Sequence, residues 1–265
     1  MKVSYRSIKS LSLLTALLPL LMLLLTITGA ITALIRQLNW QFIKLILTDT
    51  ELYFALGMSI GTSVLSLIFA LLIAIPSAWT MSQRHLPGQK LIDTLLDLPM
   101  VLPPLVTGLS LLLFFNANGW FADIVPLVSQ WIFSPAGIII AQTYIASSIM
   151  LRNTRGVFAS IDPGYRFTAY SLGLSPLHTL LKIELPMCWK PLMGGAILSW
   201  SRAIGEFGAT LMLAGATRFK TETLPMAVYL NISSGDFELA VGAALWLLII
   251  SAVLLLLLRL FNKDI

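Results

Sequence analysis

The feature that most constrains this chain is a series of six long apolar runs, at about residues 11–34, 52–80, 100–115, 136–151, 193–214 and 239–260. A helix needs about 20 such residues to cross the hydrocarbon of a bilayer, where every backbone N–H and C=O must be satisfied within the segment. A water-soluble fold could not hide them. Apolar residues make up 57% of the chain and charged residues 11%, against about half and a quarter in a soluble domain. The expected fold class is an all-α membrane protein of about six transmembrane helices, forming a single domain over residues 1–265. The third and fourth runs are short for spans, so they are expected to recruit flanking residues or to sit inside a bundle. The first run follows a basic start (Lys2, Arg6, Lys9). It exceeds the apolar core of a cleaved signal and is expected to remain as the first helix.

The formal charge of +5 does not point to nucleic acid, because the basic residues lie between apolar runs and there they set orientation. With both termini in the cytoplasm, the inner loops carry twelve of the 17 Lys and Arg residues; the outer loops carry four, Arg36, Lys44, Arg218 and Lys220, and Arg202 falls within a run. Trp40, Trp120 and Trp131 then stand in outer loops near span ends, where aromatic anchors prefer to sit, and residues 40–47 suit the outer interface. Cys188 is the single cysteine, which excludes an intrachain disulfide. With His85 and His178 it makes too few ligands for a metal site. No G-x-x-x-x-G-K-[ST] phosphate loop occurs, so no ATP site of that kind and no cofactor is expected in this chain. No catalytic residue is assigned: the runs contain no histidine, and Ser199 and Ser201 beside Arg202 do not form a hydrolytic set.

The longest polar stretch between runs, residues 152–191, is longer than a connector requires. Asp162–Pro163 reads as a helix cap followed by proline at the first helical position, and Ser175–Pro176 repeats the pattern. Two short helices are expected, at 163–172 and from 176 to about 184, with Gly173 as the stop between them. This helix–turn–helix, at about residues 160–186, carries Tyr165, Phe167, Tyr170, Leu172, Leu174, Leu177, Leu180 and Leu181. Two readings stay open: a hairpin that merely joins two spans, or a docking element for a cytoplasmic partner, since exposed apolar patches mark interfaces.

The fifth run, SWSRAIGEFGATLMLAG at residues 199–215, places Arg202 and Glu206 inside a membrane segment. Each such charge costs about 2.5 kcal/mol or more to insert. At helical spacing Gly195, Ser199, Arg202, Glu206 and Ala209 share one face, and Trp200, Ile204, Phe207 and Leu211 the opposite one. Gly205 and Gly208 would admit a close neighbour. Arg202 and Glu206 could simply pair one turn apart. They could also border a route for an anion, the cation lowering the barrier and the carboxylate preventing a trap. The two readings are compatible.

Residues 166–186, RFTAYSLGLSPLHTLLKIELP, resemble the EAA motif of ABC importer permeases: Glu-Ala-Ala, three residues, Gly, nine residues, an aliphatic, any residue, Leu-Pro. Ala169, Gly173, Ile183, Leu185 and Pro186 fall in register, whereas Phe167 occupies the acidic position and Thr168 that of the first alanine. The resemblance implies that Phe167, Ala169, Gly173, Leu174, Ser175 and Pro176 dock on an ATPase subunit. Residues 199–215 resemble the SRALGEFGATLMLAG segment of molybdate permeases. Residues 220–240, KTETLPMAVYLNISSGDFELA, look like their outer loop, and residues 98–113, LPMVLPPLVTGLSLLL, like their third span.

The resemblance implies the permease subunit, of type I fold, of a binding-protein-dependent ABC importer for molybdate or tungstate in the cytoplasmic (inner) membrane. Thr107, Ser199, Arg202 and Glu206 are the candidate pathway residues; Gly108, beside Thr107, serves either backbone close to the pathway or helix packing. The implied partners are ATPase subunits carrying ATP and Mg, an extracytoplasmic oxyanion-binding protein, a second copy of the permease and the lipid bilayer. Sulfate permeases share the Gly-Glu-Phe-Gly core and are the nearest competitor. An ion-coupled carrier is a further rival, but such carriers usually show internal repeats and buried acids, and no repeat is visible here.

Overall fold

The computed structural model describes residues 5–83 and 87–261. Lys2, Arg84, His85 and Lys263, which entered the charge and ligand readings, lie outside them, as do the side chains of Arg6, Lys9 and Trp120. Among the described residues the chain is helical, with no strand. A first compact unit, ending at Asp49, holds α1 (Tyr5–Ile35) and α2 (Trp40–Ile46). Along α1 the side chains from Leu17 onward are mostly exposed and apolar, and the hydroxyls of Thr26, Thr28 and Thr32 bond back to the helix carbonyls. A helix apolar on every side is suited to hydrocarbon rather than water. Asn39 caps α2 by accepting the Phe42 N–H at 2.7 Å.

The second unit starts at Thr50. It comprises α3 (Thr50–Gln83), α4 (Gln89–Val101), α5 (Pro104–Phe115), α6 (Trp120–Ile124), a 3-10 turn (Pro126–Trp131) and α7 (Pro135–Ala159). After these come α8 (Pro163–Ser171), α9 (Pro176–Thr179), a π-helical turn (Leu180–Glu184), α10 (Leu185–Met187), α11 (Trp189–Ile204), α12 (Gly208–Ala214), α13 (Leu224–Ser234) and α14 (Phe237–Phe261). The core is α3 packed along α7. Toward the interior α3 turns a stripe of small side chains, Ala55, Ser59, Ser63, Ser66, Ala70, Ala74 and Ala78, spaced one helical turn apart. Small residues let two helix backbones approach closely. The Ser66 hydroxyl meets the Gln142 amide oxygen at 3.1 Å, so polar atoms inside this seam find one another. At one end of α7, Arg155 grips Asp93 of α4 with two hydrogen bonds of 2.7 and 3.0 Å, and Arg152 lies 3.7 Å from Asp97.

The count of about six spans is refined. Among the described residues three helices are by themselves long and apolar enough to cross a bilayer: α1 over Leu17–Ile35, α3 and α14. The third run is bent, α4 and α5 meeting at 113°, and the two together make at most a fourth span. The bend falls where Pro103 and Pro104 cannot continue a helix. The fourth run lies in α7, whose buried residues include Gln142, Ser148 and Thr154. A helix enclosed by its neighbours does not need the uniform apolarity that lipid demands. The fifth run is not one helix but two, broken between Ile204 and Gly208.

Candidate functional site

The polar stretch folds as the expected hairpin. Asp162 caps α8 through a 2.8 Å bond from the Gly164 N–H. At the other end Gly173 adopts φ +82°, a left-handed conformation that glycine takes without strain. This lets the Leu174 N–H return to the Ala169 carbonyl and the Gly173 N–H to the Tyr170 carbonyl, both at 3.0 Å, the closure that satisfies the last carbonyls of a helix. Ser175 then caps α9, with its hydroxyl also 2.7 Å from His178 Nδ1. Phe167 is 71% and Leu172 77% exposed; Tyr165, Leu177 and Leu181 are also exposed. Of the six residues assigned to docking, Phe167, Gly173, Ser175 and Pro176 are exposed, Leu174 is half-buried and Ala169 is buried. Ala169 serves the hairpin's own packing.

The second helix does not continue to Glu184 as an α-helix. After Thr179 the backbone widens into the π-helical turn. Pro186, two residues past it, has no N–H to return to an α-helical partner. Glu184, buried inside this turn, accepts from Arg166 Nε of α8 and from Trp79 Nε1 of α3, both at 2.5 Å. Sequence reasoning missed this contact, because Trp79 lies 105 residues from Glu184 and no periodicity links them.

The break in the fifth run is organised by Glu206. One carboxylate oxygen lies 2.5 Å from Arg202 Nη1 and the other accepts the Ala209 N–H at 2.9 Å. Glu206 is 1% exposed and the Arg202 side chain 40%. The pair therefore forms as expected, and part of the guanidinium remains available. Ser199 is enclosed and donates to the Gly195 carbonyl at 2.8 Å; Thr107 is also enclosed. Because the helix stops at Ile204, Ala209 does not continue the Arg202 face. Trp200 packs inward, its indole donating to Ser63 of α3 at 2.9 Å. Gly208 does admit a close neighbour: a Cβ there would lie 2.7 Å from Pro104 Cβ. A Cβ on Gly108 would lie 2.7 Å from the Ala209 backbone, so Gly108 serves packing between α5 and α12. Gly205 is exposed and has no such neighbour.

Four of the five glutamates are buried: Glu51, Glu184, Glu206 and Glu222. Glu51 and Glu222 belong to a cluster between the start of α3 and the connector before α13, which sequence reasoning also missed. Glu51 accepts from Asn231 Nδ2 at 2.8 Å and lies 3.5 Å from Arg218 Nη1; Arg218 Nη2 donates to Asn231 Oδ1 at 3.0 Å. Glu222 accepts the Phe219 N–H at 3.2 Å. Burial pushes the Glu222 carboxyl up to about 7; the Phe219 N–H and Arg218 restrain the rise, and the neighbouring Glu51 adds to it. Separately, α3, α4, α5 and α7 line a half-open cavity of about 710 Å³, walled by apolar side chains such as Phe69, Ile73 and Leu95 and by Thr143 and Ser147. None of Thr107, Ser199, Arg202 and Glu206 lines it. Among the described residues no group of three or more His, Cys, Asp or Glu side chains could hold a metal.

With this geometry in place, residues 66–265 match the family model described as "Binding-protein-dependent transport system inner membrane component". A relative from Clostridium pasteurianum, "Probable transport system permease protein NifC", is 35% identical over 236 residues, covering 88% of this chain and 82% of its own length. The sulfate transport system permease protein CysT of Escherichia coli is 29% identical over 253 residues, covering 94% and 89%. The molybdenum transport system permease protein ModB of Mycobacterium tuberculosis is 28% identical over 227 residues, covering 85% and 86%. The fold is that of a bacterial ABC transporter chain from a system importing the acidic polysaccharide alginate, with a TM-score of 0.74 at 16% identity, covering 98% of this chain and 96% of that one.

Proposed function

This chain belongs to the family of binding-protein-dependent transport system inner membrane components and is an ABC importer permease; from that premise we propose that it carries an oxyanion, molybdate or tungstate, into the cell. The observation that carries this reading is the arrangement at residues 199–215. There a buried acid holds a helix break open beside a cation that keeps part of its surface free. A fixed positive charge lowers the barrier to an anion, and the carboxylate beside it keeps binding weak enough for release. The resemblance of that segment to the matching segment of molybdate permeases is what favours molybdate in this reading. Sulfate is the second reading, supported by a CysT relative as similar as the ModB one. All three anions are tetrahedral dianions, so Arg202 could not separate them by charge. Selection would rest with the binding protein that delivers them.

In this reading two permease copies face one another, with both termini in the cytoplasm as the Lys and Arg distribution favours. Two ATPase subunits, carrying ATP and Mg, dock on the α8–α9 hairpins. An extracytoplasmic binding protein docks at the opposite end. ATP-driven closure of the ATPases moves the hairpins together and turns the pathway outward, and hydrolysis resets it inward. The test is substrate-stimulated ATP hydrolysis by the reconstituted complex with its binding protein, comparing molybdate, tungstate and sulfate. Stimulation by molybdate and tungstate alone supports the reading, and stimulation by sulfate alone replaces it. Uptake driven by an ion gradient with no ATPase present would overturn it altogether.

A further inference from the structure

Glu184 is fully buried although its neighbours Leu181, Lys182 and Pro186 are exposed. Its two carboxylate oxygens are divided between two elements. Oε1 accepts from Arg166, on the hairpin helix α8, and Oε2 accepts from the Trp79 indole, near the end of α3. The main chain of the same residue is held as well, since its carbonyl accepts from Cys188 Sγ at 2.9 Å and from the Cys188 N–H at 3.2 Å. Arg166 is itself withdrawn, with 15% of its side chain exposed. An ion pair buried this far adds little stability over apolar packing of the same volume. What it adds is orientation: a planar guanidinium against a carboxylate admits few geometries. The π-helical turn that carries Glu184 is a rare conformation, found mostly at functional positions. No comparable polar contact is needed merely to join two helices.

We infer that Glu184 is a positioning residue that clasps the docking hairpin to α3, so that a displacement of α8 and α9 is transmitted to α3 and the α7 seam behind it. The inference rests on the permease reading, in which the hairpin receives force from an ATPase. Its effect falls on coupling. A loosened clasp lets the hairpin move without α3, so nucleotide is consumed while less cargo crosses.

The test uses the complete complex in proteoliposomes. It reads anion uptake per ATP hydrolysed, with labelled molybdate, or with sulfate if the hydrolysis assay selects it. Glu184→Gln removes the charge at nearly constant volume, and the double variant Arg166→Met, Glu184→Met replaces the clasp by apolar packing. Both are expected to lower the ratio at least fivefold while ATP hydrolysis persists. Should either fail to insert, Trp79→Phe removes the indole N–H while keeping a smaller aromatic ring against the core, and a fall of about threefold is expected from it. A Leu177→Cys substitution on the hairpin, cross-linked to the ATPase, separates the two levels of failure. Cross-linking with a ratio within twofold of wild type overturns the clasp alone. No cross-linking in the otherwise wild-type complex overturns the docking reading and the clasp with it.

Discussion

Across the break in the fifth apolar run, the guanidinium of Arg202 lies 2.5 Å from the carboxylate of Glu206, which also accepts the Ala209 N–H in the first turn of the following helix. One buried acid thus serves as ion-pair partner and helix cap together. Removing Arg202 would leave that acid buried with only the cap bond. Breaking a fully buried pair costs about 3–5 kcal/mol, and the 40% exposure of the Arg202 side chain screens it toward the lower side, about 2 kcal/mol. Arg202→Ala is therefore expected to lower the thermal midpoint in detergent and to abolish uptake. Arg202→Met combined with Glu206→Gln should recover much of the stability and none of the uptake. A double-mutant cycle on unfolding measures the coupling, and additive single effects would refute the pairing.

The close approach of α5 to α12 makes a sharper prediction about packing. A methyl on Gly108 would press on the Ala209 backbone at 2.7 Å, and one on Gly208 on Pro104 at 2.7 Å, with the Leu105 N next at 3.1 Å. Backbone cannot rotate away as a flexible side chain can, so overpacking of about 1–3 kcal/mol is expected from Gly108→Ala or Gly208→Ala. Gly57 lies in α3 with nothing within 4 Å of its added Cβ. Gly57→Ala should stabilise by about 0.5–1 kcal/mol through helix propensity. Thermal unfolding of the three variants side by side decides this.

The helices and their punctuation were legible because their causes are local. Asp162 and Ser175 cap α8 and α9 and Gly173 closes the turn, each acting on backbone within a few residues. Arg202 and Glu206 were legible as a pair for the same reason, being four residues apart. The clasp at Glu184 and the cluster around Glu222 were not. Their partners, Trp79 and Glu51, are brought to them by the packing of α3, and one sequence carries no signal for contacts at that separation. The fourth and fifth runs read as less uniform than the others because α7 and α11 carry polar side chains that are met by protein, such as Gln142 against Ser66 and Trp200 against Ser63, and apolarity alone reports contact with lipid.

At Gly173 two kinds of cost can be separated. Its φ of +82° strains any L side chain, yet an added Cβ would meet nothing within 4 Å. Asparagine tolerates this conformation better than most residues. Gly173→Asn is expected to keep the turn and at least half of wild-type uptake. Gly173→Arg adds both strain and bulk on the face offered to the ATPase. It is expected to reach the membrane at wild-type levels and yet to lose co-purification with the ATPase and transport. Immunoblotting of membranes, pull-down and uptake check the three outcomes, and normal coupled transport by Gly173→Arg would remove the hairpin from the docking surface.

The Glu222 cluster makes the connector between α12 and α13 sensitive to pH in a direction that can be worked out. The folded carboxyl titrates near 7, raised from 4.5, so between these values the folded state holds a proton that the unfolded chain has released. Stability falls with rising pH wherever the native state binds more protons. The contribution is fully present below about pH 4.5, is lost as pH rises toward 7, and is gone above it. A rise from 4.5 to about 7 amounts to roughly 3 kcal/mol. The Asn231 and Arg218 contacts to Glu51 are the ones that ionised Glu222 would disturb, by placing a second negative charge beside Glu51. Hydrogen exchange of residues 215–235 should therefore be slower at pH 5 than at pH 8, after correction for intrinsic rates. Glu222→Gln should flatten that difference and slow exchange at pH 8, because the amide never ionises. If the variant keeps the wild-type pH profile, the titrating group lies elsewhere.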